Sequence, residues 1–140
     1  MIKGDCSMKL ITRDTDYAIR AICYIAGQKE RIVTVAELVE ELRIPYSFLR
    51  KILQTLSKRK ILRSYKGRDG GFKLFATTNK IFILDLMEIF QGVLTLNECS
   101  LKKIVCPNIK ICPLRKKIKN IENYVFKQLR SITIASLLKV

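Results

Sequence analysis

The stretch YSFLRKILQTLSKRKILRSYKGRDGGFKLF, Tyr46 to Phe75, changes its period halfway along. In its first half Leu49, Ile52, Leu53 and Leu56 recur at three- and four-residue steps, the buried stripe of a helix, while Arg50, Lys51, Gln54 and Lys58 face away. From Ile61 the stretch reads as strand, glycine-rich turn, strand, with Asp69-Gly70 as the hairpin signal. Lys66, Arg68 and Lys73 surround that turn. A helix with a basic exposed face, followed at once by a basic hairpin, has the order of a recognition helix and its wing.

The residues just upstream supply the partner helix. In TVAELVEEL, Thr34 to Leu42, Thr34 and Glu37 have the spacing of a capping box, in which each side chain satisfies a free amide at the helix start. The tight turn RIP follows, and Pro45 suits the first turn of the next helix, where a missing N–H costs little. Two helices joined in this way, the second basic outside, form a helix-turn-helix. A plain surface hairpin after two unremarkable helices is the bland alternative, and the basic exposed face argues against it.

Charge points the same way. The 140 residues carry 27 Lys+Arg against 12 Asp+Glu, a formal net charge of +15. From Arg43 to Lys73 there are ten basic residues and a single acid, Asp69. A field of that kind suits a polyanion, either nucleic acid or an anionic membrane surface, although a basic face can also be merely solvated. Nearly half the residues are hydrophobic, so a real core is expected, and the length fits one domain or one domain plus an appended element. No apolar run approaches the roughly 18 residues of a membrane span, and the opening MIKGDCSMKLI lacks the apolar core of a secretory signal. A cytoplasmic protein is the expectation.

Histidine is absent. That removes serine–histidine and cysteine–histidine nucleophile pairs, together with every zinc site that needs an imidazole. Neither a phosphate-binding G-x-x-x-x-G-K-[ST] loop nor a G-x-G-x-x-G turn is present. An enzyme is not expected.

Around the central stretch the pattern is helical. Between Asp16 and Gly27, Ala18, Ala21, Ile22, Ile25 and Ala26 share one stripe and Gly27 supplies a stop. From Thr78 to Gly92 a further amphipathic helix turns Leu86, Met87 and Phe90 inward. In LRKKIKNIENYVFKQLRSI, Ile118, Ile121, Val125, Leu129 and Ile132 form a seam suited to another helix, and a second subunit would supply it. Ile134, Leu137 and Leu138 mark a short last helix. The fold expected is mainly α with a small β-hairpin wing. A winged helix-turn-helix would occupy residues 8–77, and the cysteine loop with the long dimerisation helix residues 78–140.

That loop, CSLKKIVCPNIKICPL, holds three of the five cysteines, Cys99, Cys106 and Cys112, spaced C-x6-C-x5-C. Lys102, Lys103, Lys110, Arg115, Lys116 and Lys117 bring positive charge, which favours the thiolate that binds metal. Pro107 and Pro113 keep the chain beside two of the thiols out of a helix. Three soft thiolates without histidine suit an iron–sulfur cluster, whereas zinc would want a fourth ligand. Unclustered redox thiols are the plainer reading of the same residues. A thiol-switched regulator without a cluster, or a zinc-stabilised basic nucleic-acid-binding module, therefore stand beside the cluster reading.

Taken together these residues resemble the bacterial winged-helix iron–sulfur transcription regulators of the IscR and NsrR type. The resemblance runs from Met8 onward and is carried by MKLITRDTDYAIRAICYIA, YSFLRKILQTL, KGRDGGFKL, the cysteine spacing and the terminal SITIASLL. It implies a homodimeric DNA-binding regulator whose operator affinity depends on a cluster held by Cys99, Cys106 and Cys112. The IscR kind completes the ligand set with a histidine just after the third cysteine, but Arg115 stands there. The NsrR kind uses an aspartate near the start of the first helix of the other subunit. The matching stretch TDYAIR implies Asp16 of the partner subunit, with Arg20 one turn on and Asp14 as a second candidate. Tyr46, Ser47, Arg50 and Lys51 are the expected readers of base edges, and Lys66, Arg68 and Lys73 the expected holders of phosphates. The family turn is richer in glycine than this one, which carries Arg68 and Asp69. Cys6 and Cys23 receive no role.

Overall fold

The computed structural model describes residues 9–96 and 111–139. The chain divides into two compact units, Met1–Ala76 and Thr77–Val140. Among the described residues no helix is long and apolar enough to cross a membrane.

The first unit contains α1 (Arg13–Gly27), α2 (Val35–Leu42), α3 (Tyr46–Lys58), β1 (Leu62–Tyr65) and β2 (Gly71–Leu74). Helix α1 begins one turn before the expected Asp16, because Thr12 is extended and its carbonyl already accepts the Asp16 amide at 3.0 Å. Asp14 and Asp16 therefore sit in its first turn, where the helix dipole favours negative charge. Ala18, Ala21, Ile22 and Ile25 are buried as the stripe requires; Thr15 joins them, its hydroxyl 3.1 Å from that of Thr12. Against this face pack Leu38 and the stripe of α3, with Leu49, Leu53 and Leu56 fully buried. Each such side chain contributes about 1.5–3 kcal/mol relative to exposure.

Only half of the expected capping box forms. Thr34 accepts the Glu37 amide at 3.1 Å, but the Glu37 carboxylate turns to Tyr24 Oη at 2.8 Å and to Arg31 Nη1 at 2.9 Å. A charge-assisted pair with guanidinium outcompetes a bond to one backbone amide. Arg31 and Tyr24 together hold the Glu37 carboxyl below the usual carboxylate range. The turn after α2 places Arg43 in the left-handed region, φ 53°, and sinks Ile44 into the core. Pro45 is extended and caps α3, which starts at Tyr46.

β1 and β2 are antiparallel, with Leu62 opposite Leu74 and Tyr65 opposite Gly71. Five residues, Lys66 to Gly70, join them, so the turn is longer than Asp69-Gly70 alone suggests; Gly67 has φ +104° and its carbonyl accepts the Gly70 amide at 3.1 Å. On its other side β2 is bridged by Val33, which exchanges two 2.8 Å backbone bonds with Phe72. The glycine pair follows from this crowding. A Cβ at Gly71 would lie against the Val33 carbonyl, 2.8 Å from its carbon, and one at Gly70 would strike the Tyr65 carbonyl oxygen.

In the second unit α4 (Ile83–Gln91), α5 (Pro113–Arg130) and α6 (Ile134–Leu138) surround Ile81, Leu84, Leu86, Met87, Leu129 and Ile134. Helix α4 starts at Ile83 and not at Thr78. Thr78–Lys80 form a separate 3-10 turn, and the residues between are committed elsewhere. Ile83 donates to the Ile132 carbonyl at 3.0 Å and the Ile81 carbonyl accepts the Ile134 amide at 2.9 Å. Helix α6 carries a complete capping box between Thr133 and Ser136.

Gly71→Ala tests the crowding at the sheet. It should lower the thermal midpoint and cost about 1–3 kcal/mol, while a change at Gly27, where nothing lies within 4 Å, should cost far less. Calorimetry on both variants compares them directly.

Candidate nucleic-acid interface and cysteine segment

Helix α3 offers its outer face uncovered. Tyr46, Ser47, Arg50 and Lys51 are exposed, and Ser47, Lys51, Gln54 and Lys58 continue one exposed line for about 17 Å along its axis. Phe48 also emerges, and the Arg13 guanidinium lies 4.3 Å from its ring centroid. This contact joins the first turn of α1 to the first turn of α3, and nothing in the local sequence pattern signals it across 35 positions.

Lys66 and Arg68 stand exposed in the hairpin turn. Among the described residues Arg50, Lys51, Lys66 and Arg68 have no acidic partner. Lys73 is different. It lies two residues inside the sheet edge of the turn, opposite Arg63, half-buried, with Nζ 3.7 Å from Glu30. The structure does not bring it to the tip with the other two.

Asp16 is exposed in the first turn of α1, 3.7 Å from Arg20 Nη1. The other nitrogen of Arg20, Nη2, donates to the Leu42 carbonyl at 3.0 Å. Leu42 is the last residue of α2, directly before the turn into α3, so one side chain connects Asp16 with the helix-turn-helix corner. Asp14 lies 3.5 Å from Arg13, and among the described residues its Oδ1 accepts no hydrogen bond.

Of the three loop cysteines, Cys99 and Cys106 lie outside the described residues. Cys112 caps α5, its carbonyl accepting the Lys116 amide at 3.3 Å, and its thiol is half-exposed in a cleft with Arg115, Lys116 and Lys119. Among the described residues no three metal-ligating side chains converge. Glu122 anchors the near end of the segment: it accepts the Leu96 amide at 3.1 Å and Lys119 Nζ at 2.6 Å. Lys119 first, and the Leu96 amide second, hold its carboxyl below the ordinary range. Cys23 is half-buried on α1, and that burial pushes its thiol up, away from the thiolate.

The expected seam of α5 divides. Leu129 is buried within its own unit, Ile118, Val125 and Ile132 are half-covered, and Ile121 is 52% exposed. Leu114 and Tyr124, each 66% exposed, extend the bare apolar area on the same helix.

Comparison with known proteins gives this geometry a context. The family model described as Rrf2, iron-dependent transcriptional regulator, matches residues 11–140. The helix-turn-helix transcriptional regulator NsrR of Shouchella clausii is 32% identical over 90 residues, 64% of this chain and 60% of that one. The structure of CymR, the global cysteine regulator of B. subtilis, superposes with a TM-score of 0.76 at 17% identity, covering 94% of this chain and 98% of that one. The IscR structure from T. potens gives 0.73 at 20% identity, covering 97% and 90%. The structural matches bear on the fold, a winged helix.

Proposed function

The chain belongs to the Rrf2 family of DNA-binding transcriptional regulators, and from that premise we propose a cytoplasmic homodimer whose operator affinity is set by an iron–sulfur cluster on Cys99, Cys106 and Cys112. Members of this family are regulators and not enzymes. The observation that carries the DNA reading is the set of cations without acidic partners on α3 and the wing turn. Ser47, Arg50 and Lys51, with Tyr46, would meet base edges in the major groove, since they lie at the helix start that enters first. Lys66 and Arg68 would hold phosphates beside it. Lys73 would have to leave Glu30 to join them.

The residues at hand fit the cluster. Cys112 offers a half-exposed soft donor, and the neighbouring Arg115, Lys116 and Lys119 offset the negative charge of a thiolate-bound centre. Bound there, the cluster would supply an iron centre open to small oxidants. By resemblance, Asp16 of the partner subunit would complete the ligand set, a harder and weaker donor than a thiolate. Such a carboxylate would share its charge between the iron and Arg20. Arg20 in turn holds the end of α2 through the Leu42 carbonyl, directly before the turn into α3. Two ligand states would differ in the charge that Arg20 meets beside this corner, and coupling between sites requires such a differential contact.

The exposed Leu114, Ile121 and Tyr124 of α5 support self-association, because a single helix gains little from displaying them to water. The reading also assigns residues 8–77 to DNA binding and 78–140 to cluster and dimer.

Three measurements test this reading. In fluorescence anisotropy on selected operator duplexes, Arg50→Ala should cost about 1–3 kcal/mol and relax sequence preference, whereas Lys66→Ala should weaken all sequences and lower the salt slope by about one. Unchanged preference in Arg50→Ala would exclude it as a base reader.

Anaerobically purified protein should be coloured and contain iron and sulfide. Cys112→Ala should lose both, and Asp16→Ala should retain the cluster with an altered spectrum and faster loss. Colourless, iron-free protein with intact operator binding would instead favour a thiol switch.

Ile121→Glu should convert the dimer to a folded monomer by sedimentation, since this residue contributes little to its own unit. A dimer that survives both Ile121→Glu and Val125→Glu would remove α5 from the interface.

A further inference from the structure

A second surface lies at the base of the wing, away from its tip. Among the described residues β1 is paired on one side only, by β2, because the Val33 bridge is on the far side of β2. Phe72 spends both backbone groups on Val33, so Lys73 and Gly71 are the residues that turn theirs toward β1 and face Arg63 and Tyr65. The alternating backbone groups, those of Leu62 and Ser64, point to the open edge. Along that edge runs a notch of about 460 Å³ lined by Ser57, Lys60, Leu62, Arg63, Ser64 and Phe75.

Its chemistry is distinctive. Phe75 is 59% exposed, a large ring displayed at the end of β2. Lys60 and Arg63 are both exposed and, among the described residues, neither meets a carboxylate; Arg63 lies only over the Tyr65 ring, 5.8 Å from its centroid. Lys60 is also held at φ 58°, a left-handed position where glycine is usual. The notch is at the Leu62–Leu74 end of the hairpin, about 13 Å from the turn at its other end.

From these features we infer that the open edge of β1 docks an acidic, extended segment of a protein partner that carries a large apolar side chain. The segment lies beside β1 and takes hydrogen bonds from its outward backbone groups. Its carboxylates meet Lys60 and Arg63, and its apolar side chain covers Phe75. Duplex DNA fits less well, since a phosphate backbone offers nothing to an exposed phenyl ring and no strand to an open edge. Four residues of strand with a charged side chain are short enough to resist indiscriminate edge pairing. A partner bound there leaves Lys66 and Arg68 free, so docking and DNA binding can coexist. The inference does not depend on the cluster.

The test uses the full chain and a fluorescent twelve-residue peptide alternating glutamate and leucine. Two control peptides carry lysine for glutamate or two central prolines, which remove strand donors. The acidic peptide should bind in the micromolar range and both controls should fail. Phe75→Ala and Arg63→Glu should each weaken it at least tenfold, and affinity for a nonspecific 24-base-pair duplex should stay within twofold. Lys60→Gly should weaken the peptide while raising the thermal midpoint, because glycine relieves the left-handed backbone. No binding of the acidic peptide, or binding indifferent to Phe75→Ala and Arg63→Glu, overturns the inference. Loss of duplex affinity in both variants would assign the surface to the DNA footprint instead, and overturn it equally.

Discussion

The two 2.8 Å backbone hydrogen bonds between Val33 and Phe72 govern the rest of the first unit. They fasten the segment ahead of α2 to the strand that follows the wing turn, and so fix the hairpin relative to the helix-turn-helix. Because Phe72 is paired there, the neighbouring residues must pair with β1, which sets the register of the wing. The same approach brings the Val33 carbonyl against Gly71, where no side chain fits. One bridge thus decides which residue is glycine, which strand is central and which edge remains open.

Around that frame, charge is distributed with a purpose that packing alone does not require. Acidic residues are drawn into local pairs: Glu37 with Arg31, Asp16 with Arg20, Glu122 with Lys119. The outer face of α3 and the wing turn have no such partners among the described residues. Exposed pairs of this kind contribute little to stability, and they leave Asp69 as the single acid within the basic run from Arg43 to Lys73. Arg13, stacked on Phe48, extends positive charge from α1 to the start of α3.

Helix α5 is governed by a different constraint. Its first turns follow Cys112 and carry Arg115, Lys116 and Lys119, while Leu129 near its end is buried in its own unit. Between them Ile121 and Tyr124 face outward. The helix is anchored at its end and bare in its middle. Glu122 ties Leu96, just ahead of the cysteine segment, to this same middle section.

Much of the fold was legible in order along the chain. The leucine and isoleucine stripe of α3, the glycine-rich hairpin and the basic run from Arg43 to Lys73 are local patterns, and local patterns survive folding because periodicity and turn chemistry act over a few residues. The exposed set of Tyr46, Ser47, Arg50, Lys51, Lys66 and Arg68 could be named from them. The family was likewise readable without coordinates. Contacts between distant positions were not. Glu37 abandoned its capping role for Arg31 and Tyr24, Lys73 met Glu30, and α4 began late because Ile81 and Ile83 bond to the chain around Ile132. The Arg20 link to Leu42, the Arg13 stack on Phe48 and the open edge of β1 arise only when separate elements pack. Sequence determines which faces exist; tertiary structure decides which groups find partners across space and which are left uncovered, since those partners are set by approach in three dimensions and not by spacing along the chain.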